Sequence, residues 1–346
     1  MDWPQKSPEI NNKDRKFFQY DARSINTIVK LCTNSADQTI WETSCREDLL
    51  QWLEKVSSLA GRAEDNNPDG AHNPALLEYL PFRENSFDMI LRKFYIHGSI
   101  VCTVSRRHPI FSRTLLELGT SLEPAIVYHC RTSHEWPGDL ALSMTYFTLT
   151  KATYGVSYSC DAEMKEALLA RLHISEDAAC QPLLLIGIFV ELERKRQLNL
   201  VRDGLDALHN TILNLRKPAG NWGKIGGDEQ PSITHAIDPW LDIHNLKNSL
   251  ESWKDQLAKI VTHIDELSET WFDFVPSDSN EETAQKCRAR EVRERIRERI
   301  LEIVCYYDGK IRECVVIIEG MSLATQLAHA RANVEIAASV KIIVAR

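Results

Sequence analysis

The chain has 346 residues, of which 43% are hydrophobic and 26% are charged, and its formal net charge is -8. This length suffices for two domains with a proper core, and the composition is typical of a soluble globular protein. The acidic balance argues against a general nucleic-acid binder, which usually has a basic surface. Nine cysteines without a CxxC pair predict reduced thiols, and the N-terminus lacks the apolar region of a secretory signal. We therefore expect a cytoplasmic protein.

Residues 1–90 are predicted to form a polar, partly helical N-terminal segment. Within it, REDLLQWLEKVSSLAGRA (residues 46–63) places its leucines, a tryptophan and a valine on one face of an amphipathic helix. The following EDNNPDGAHNP is rich in the residues that turns favour and separates this segment from the next.

Residues 91–175 are predicted to form a small α+β domain with a mostly antiparallel sheet. The runs FYIHGSIVCTVS and AIVYHC are rich in β-branched and aromatic residues, which favours strands. DLALSMTYF and ATYGVSYSC alternate apolar and polar residues, and the TLTKA between them suits a hairpin. SRTLLELG is predicted to be a helix that crosses the sheet, and EMKEALLARLHIS a second helix.

Residues 176–346 are predicted to form a stalk of three long antiparallel helices. The first begins at Gln181 and Pro182, with proline in a tolerated first-turn position. Apolar residues of the second alternate at spacings of three and four, as in a coiled-coil seam. These residues are Ile243, Leu246, Leu250, Trp253, Leu257, Ile260, Ile264, Leu267, Trp271 and Phe274. The third helix would extend to about 90 Å at 1.5 Å per residue, so it must lie against the other two or against another chain.

The apolar stripe of the third helix becomes thinner toward its end. It begins at Val292 with large side chains, whereas Thr325, Ala328 and Ala332 continue it with small ones. Small residues permit close approach between helices but bury little area, so we expect this part to contact another chain. We expect no membrane span, because the most apolar run, PLLLIGIFV, is shorter than about 18 residues and is followed by charged residues.

Three stretches of the sequence resemble CorA-type magnesium transporters, and more narrowly the fungal CorA-like proteins. They are YHCRTSHEWPGDLALSMTYF (Tyr128 to Phe147), QPLLLIGIFVELERKRQLNLV (Gln181 to Val201) and EGMSLATQLAHARANVEIA (Glu319 to Ala337). In such relatives the third helix continues into two membrane spans, with a Gly-Met-Asn pore motif after the first. Here Gly320-Met321-Ser322 lacks the asparagine and follows no apolar 20-mer, so no pore residue is assigned.

Our leading hypothesis is therefore a non-enzymatic, soluble CorA-like cytoplasmic domain that acts by helix-mediated association. The resemblance implies a role in regulating divalent-cation transport. The partner would be a second copy in a homo-oligomer, or full-length CorA-like relatives that hold the chain at the periphery of a membrane. One alternative is a truncated or mispredicted form of a CorA-like membrane transporter. Another is an accessory enzyme with an unrecognised site.

No catalytic or cofactor-binding residue is predicted. His129, Cys130 and His134 lack the paired spacing of structural zinc ligands. GNWGKIGGD lacks the Lys-Ser/Thr ending of a phosphate-binding loop, so a linker is the better interpretation. Trp253 and Trp271 follow the heptad spacing, which indicates core residues rather than a ligand platform.

Two groups of charged residues are candidates for binding sites. Four carboxylates could help to bind a hydrated Mg²⁺ ion, but no motif fixes its ligands, so the metal site is unassigned. They are Glu191, Glu193, Asp203 and Asp206. KCRAREVRERIRERILE has seven basic residues that could contact lipid or nucleic acid, but its glutamates at spacings of three and four favour a salt-bridged surface. The basic residues are Lys286, Arg288, Arg290, Arg293, Arg295, Arg297 and Arg299.

Overall fold

The structure is a computed structural model of the whole chain, and parts of it are described here. The described residues are 10, 15–16, 18–20, 26–30, 39–43, 79–80, 84–105, 108–119, 122–133, 136, 138–174, 181–216, 234–270 and 280–344. The helix predicted at 46–63, the GNWGKIGGD linker and His134 lie outside these residues.

The described residues form a small antiparallel sheet followed by long helices, which confirms the predicted α+β class. The strands are β1 (Gln19–Tyr20), β2 (Asn26–Lys30), β3 (Thr39–Thr43), β4 (Tyr79–Leu80), β5 (Ile110–Leu118), β6 (Glu123–Arg131), β7 (Ala141–Phe147) and β8 (Thr153–Tyr158). The helices are α1 (Glu84–Lys93), α2 (Ile100–Ser105), α3 (Ala162–Ile174), α4 (Leu184–Arg216), α5 (Thr234–Thr270) and α6 (Asn280–Val344).

The central sheet has the strand order β5-β6-β7-β8, with every neighbouring pair antiparallel. β1 pairs with β4 and β2 with β3 in two separate two-stranded sheets. The predicted hairpin is confirmed as β7 and β8, in which Met144 lies opposite Gly155. A Cβ atom at Gly155 would lie 2.9 Å from Leu185 Cδ1, so glycine here lets α4 approach the sheet closely.

Two local predictions in this domain are wrong. SRTLLELG is not a helix: all of it except Gly119 belongs to β5, which pairs with β6 along its whole length. Exposed and half-buried residues alternate along β5, a strand pattern that leucine and glutamate do not favour on their own. Conversely, the β-branched run IVCTVS is not a strand but the short helix α2, which packs against β6 and β7. Tertiary contacts override the local preference in both cases.

The two faces of the sheet are covered by different helices. On one face α1 and α2 form an apolar cluster with Ala141 and Tyr158. On the other face Tyr128 and Phe111 contact His263 of α5. β7 is therefore buried along its whole length, so its apolar and polar alternation does not separate an inner from an outer face.

The three predicted long helices are confirmed as α4, α5 and α6. Every described residue of the α5 seam is buried, with exposed fractions of 0–3%, and Trp253 is a core residue as predicted. Trp271 and Phe274 lie outside the described residues. Gln181 contacts Ala289 and Glu191 contacts Arg299, so α4 and α6 run in the same direction there.

Contacts between residues divide the chain into two compact units. Unit 1 comprises Met1–Glu193 and Asp255–Leu301, and unit 2 comprises Arg194–Lys254 and Glu302–Arg346. Unit 1 holds the sheet domain. Unit 2 is formed by parts of the three long helices, in which Ile243 packs against Gly204 and Lys254 pairs with Asp308.

Candidate functional site

A chain of hydrogen bonds joins two buried histidines through Ser99, where α2 begins. Ser99 Oγ lies 2.7 Å from His97 Nδ1 and 2.8 Å from His129 Nε2. The backbone N–H of Ser99 also donates to His97 Nδ1, at 3.2 Å, so this nitrogen is an acceptor. The Ser99 hydroxyl then donates to His97 and accepts from His129.

This arrangement resembles a serine with a histidine base, but its burial favours a structural role. Both rings are only 2% exposed, and burial, followed by the proximity of His97, lowers the pKa of His129 to about 3. Burial also lowers the pKa of His97. Neutral imidazoles inside the domain connect the turn before α2 to β6, and sequence reasoning missed this contact because 30 residues separate Ser99 from His129.

A second polar cluster connects the sheet to α5. Arg113 Nη1 lies 2.6 Å from His263 Nδ1, and His263 Nε2 lies 2.8 Å from the Tyr128 hydroxyl. Because a guanidinium can only donate, Nδ1 accepts and Nε2 carries the proton that is donated to Tyr128. Burial, and then the charge of Arg113, lowers the pKa of His263 to about 3. The backbone N–H of Phe111 also donates a hydrogen bond to Gln256 Oε1 of α5, at 3.1 Å.

The third cluster is a buried ion pair between Arg131, the last residue of β6, and Asp139 in the loop that follows. Arg131 donates to Asp139 Oδ2 from Nε at 3.2 Å and from Nη2 at 2.7 Å. Its Nη1 donates to the carbonyl oxygens of Thr103 and Val104 in the last turn of α2. Thr132 donates to the other oxygen of Asp139, at 2.8 Å. The pair therefore satisfies carbonyls that a helix end leaves without partners.

His129 and Cys130, which are candidates for metal ligands in the sequence, do not belong to one site. His129 and Cys130 are consecutive residues of β6, so their side chains point to opposite faces of the sheet. His129 bonds to Ser99, whereas Cys130 is buried with a pKa far above its usual value because of desolvation. Among the described residues, no group of three or more histidine, cysteine, aspartate or glutamate side chains could hold a metal ion.

The four carboxylates that are candidates for Mg²⁺ ligands also differ in their partners and in their burial. Glu191 pairs with Arg299, and Asp203 contacts the neighbouring Arg202 at 3.4 Å. Glu193 is fully buried, whereas Asp206 is exposed. The metal site therefore stays unassigned.

The basic stretch forms the predicted ion pairs, and some of them reach other helices. Arg295 pairs with Glu291 at 3.5 Å, and Arg297 with Glu294 at 3.8 Å. Arg297 also contacts Asp265 of α5 at 2.6 Å. The predicted salt-bridged surface is therefore confirmed. Some of its charged residues pair with a residue of another helix.

The C-terminal part of α6 is the best candidate for a functional surface. We call residues 325–344 the distal segment. The last buried residue of the helix is Ala324, and no side chain described beyond it is buried. Large apolar side chains are instead exposed on more than one side of the helix. They are Leu327 (48% exposed), Val334 (69%), Ile336 (61%) and Val340 (51%).

Such exposure is unusual for a helix that is stable by itself. Most of the stability of a helix in a protein comes from packing of its apolar face against other parts of the structure. The sequence of the segment has three charged residues, Arg331, Glu335 and Lys341, so its net charge is small. Covering the exposed part of each large side chain would contribute on the order of 1 kcal/mol. The arrangement suits apolar packing against another helix.

Comparisons with known proteins add no family for this chain. A scan against protein-family models found no family that matches, and a search of curated proteins found no match. Among the helices of the described residues, none is both long and apolar enough to cross a membrane.

Proposed function

We propose that this chain is a non-enzymatic protein that acts by helix-mediated association, with the distal segment as its contact surface. The single observation that supports this most is the exposure of four large apolar side chains beyond Ala324. The partner is a helix, either from a second copy or from a full-length CorA-like relative.

The proposed setting is the cytoplasmic regulation of divalent-cation transport. It follows from the resemblance of Tyr128–Phe147, Gln181–Val201 and Glu319–Ala337 to CorA-like proteins. The order of a small α+β domain followed by long helices is compatible with that setting. A regulatory chain of this kind needs a surface for its partner and no reaction centre, and the three polar clusters in the sheet domain connect structural elements.

Replacing Leu327 and Val334 with glutamate is expected to abolish association. Both side chains are exposed, so the monomer should keep its helix content, whereas two charges within an apolar contact cost several kcal/mol. Affinity should fall at least about 100-fold. The measurements are light scattering after size exclusion for self-association, and co-purification with a co-expressed full-length CorA-like relative.

The matched control replaces Gln326 and Asn333 with glutamate, which adds the same charge at exposed polar positions of the same turns. This control should retain most of the affinity. Two results would contradict the proposal. One is a wild-type chain that stays monomeric at about 100 μM and retains no relative, and the other is a Leu327→Glu/Val334→Glu variant that associates as the wild type does.

A further inference from the structure

An open groove lies between α4 and α6 within unit 2. Its volume is about 610 Å³, and its apolar lining includes Leu205, Val316 and Ile317. Val316 is 68% exposed although it lies in the middle of a long helix. We call this surface the Gly309 groove, because Gly309 also lines it. It precedes the distal segment along α6 and shares no residue with it.

Gly309 has no role that the described part of the chain explains. Glycine destabilises the interior of a helix relative to other residues, because it loses more backbone freedom on folding. Where glycine is needed for close packing, a Cβ atom would clash, as one at Gly204 would with Ile243 at 2.7 Å. Apart from its neighbours in its own helix, a Cβ atom at Gly309 would meet no atom of the described chain within 4 Å. The bare backbone is therefore available for close approach by a second molecule.

Opposite charges stand on the two edges of this groove. Asp206 lies on the α4 edge and Arg312 on the α6 edge, and both are exposed. Neither has an ion-pair partner within the described residues, whereas the neighbouring Glu313 pairs with Lys310 at 2.7 Å. In a two-fold interface every contact occurs twice, so when Arg312 of one copy meets Asp206 of the other, Asp206 of the first copy also meets Arg312 of the second.

We propose that the Gly309 groove is a homotypic interface, in which α6 of a second copy of this chain crosses α6 close to Gly309. A partner of a single charge sign would be attracted by one edge and repelled by the other. A second copy related by two-fold symmetry makes two attractive pairs around a shared apolar floor. The inference goes beyond the proposed function, since it uses a different surface and names one occupant.

Replacing Gly309 with leucine separates folding from association. The side chain has open space in the monomer and favours the helix, so the thermal midpoint of the monomer should stay the same or rise. The same side chain prevents the close approach of α6 helices, so the dimer dissociation constant should rise at least tenfold. Sedimentation equilibrium and thermal unfolding at low protein concentration measure the two effects. A variant that dimerises as tightly as the wild type overturns the inference.

A charge exchange tests the identity of the partner. Arg312→Asp and Asp206→Arg should each weaken the dimer at least tenfold, because like charges then face each other. The variant with both changes should return to within about threefold of the wild type, since two-fold symmetry restores both pairs. Failure of the double change to restore affinity overturns the inference.

The two sets of variants distinguish a failure of the groove inference from a failure of the proposed function. If Leu327→Glu/Val334→Glu abolishes association and Gly309→Leu does not, the proposed function stands and the groove inference is wrong. If Gly309→Leu alone abolishes the dimer, the groove inference stands and the distal segment is not the self-association surface.

Discussion

Replacing Arg131 with methionine is expected to lower the free energy of unfolding by about 3–5 kcal/mol, because it leaves a buried carboxylate without its cation. The side chains of Arg131 and Asp139 are 3% and 6% exposed. In the variant, Thr132 is the remaining hydrogen-bond donor to Asp139 among the described residues. The carbonyls of Thr103 and Val104 also lose the donor that Arg131 supplies.

Urea unfolding followed by far-UV circular dichroism and tryptophan fluorescence measures this loss. The double variant Arg131→Met/Asp139→Leu removes both charges and should recover at least half of it, since buried pairs can be replaced by apolar residues at small cost. Arg131→Lys keeps the charge but not the planar fork of donors, so its stability should be intermediate. A methionine variant within about 1 kcal/mol of the wild type would show that Arg131 contributes little, contrary to the burial of the pair.

The long helices were predictable because their apolar spacing is a local property. The seam of α5 repeats every three or four residues, and each of its described members from Ile243 to Leu267 is buried. The stripe of α6 was also predicted, including its weakening at Thr325, and the last buried residue is Ala324. Ala332, which continues the stripe in the sequence, is exposed, and so is Ile336 one turn later.

The errors arose where a neighbour in space decides the outcome. β5 contains Leu115 and Leu116, which favour a helix, but pairing with β6 supplies its hydrogen bonds. α2 is rich in β-branched residues, but it lies against the sheet, and four of its six residues are buried there. Neither neighbour can be read from the segment itself.

The polar clusters and the groove also depend on neighbours in space, and for this reason the sequence did not predict them. Arg113 and His263 are 150 residues apart in the chain, and only the packing of the sheet on α5 brings them together. Gly309 reads as an ordinary glycine in a helix, and the open space around it becomes visible only when α4 is placed beside α6. The feature that indicates the groove is an interior glycine followed seven residues later by Val316, and the structure is needed to show that Val316 is exposed.

The free energy of unfolding is expected to decrease as the pH falls below about 6.5, because two buried histidines stay neutral in the folded protein. The pKa of His129 and that of His263 are each lowered to about 3. Below pH 6.5 an unfolded histidine binds a proton that the folded one excludes, so protons favour unfolding throughout the range down to about pH 3. From pH 6.5 to 4.5 the two rings together should lower the free energy of unfolding by about 4–5 kcal/mol.

The geometry explains why neither ring accepts a proton readily. Nδ1 of His263 faces the donating guanidinium of Arg113 and its Nε2 faces the hydroxyl of Tyr128, while Glu266 lies 3.8 Å from Nδ1. His129 is buried beside the neutral His97, and a positive charge on its ring would have no counter-charge among the groups that bond to it. Protonation of His263 at Nδ1 would break its contact with Arg113, which joins α5 to the sheet, and protonation of His129 would bury a charge inside the domain.

Comparing variants isolates these two groups from the carboxylates, which titrate alike in all of them. His129→Gln and His263→Gln lose some stability at pH 7 with the lost hydrogen bonds, but each should flatten the slope between pH 6.5 and 5 by about half. Chemical unfolding at several pH values gives the slope, and the ring proton shifts in nuclear magnetic resonance report protonation directly. Slopes equal to that of the wild type, or rings that protonate above pH 6, would mean that water reaches these histidines and that the sheet does not pack on its helices as described.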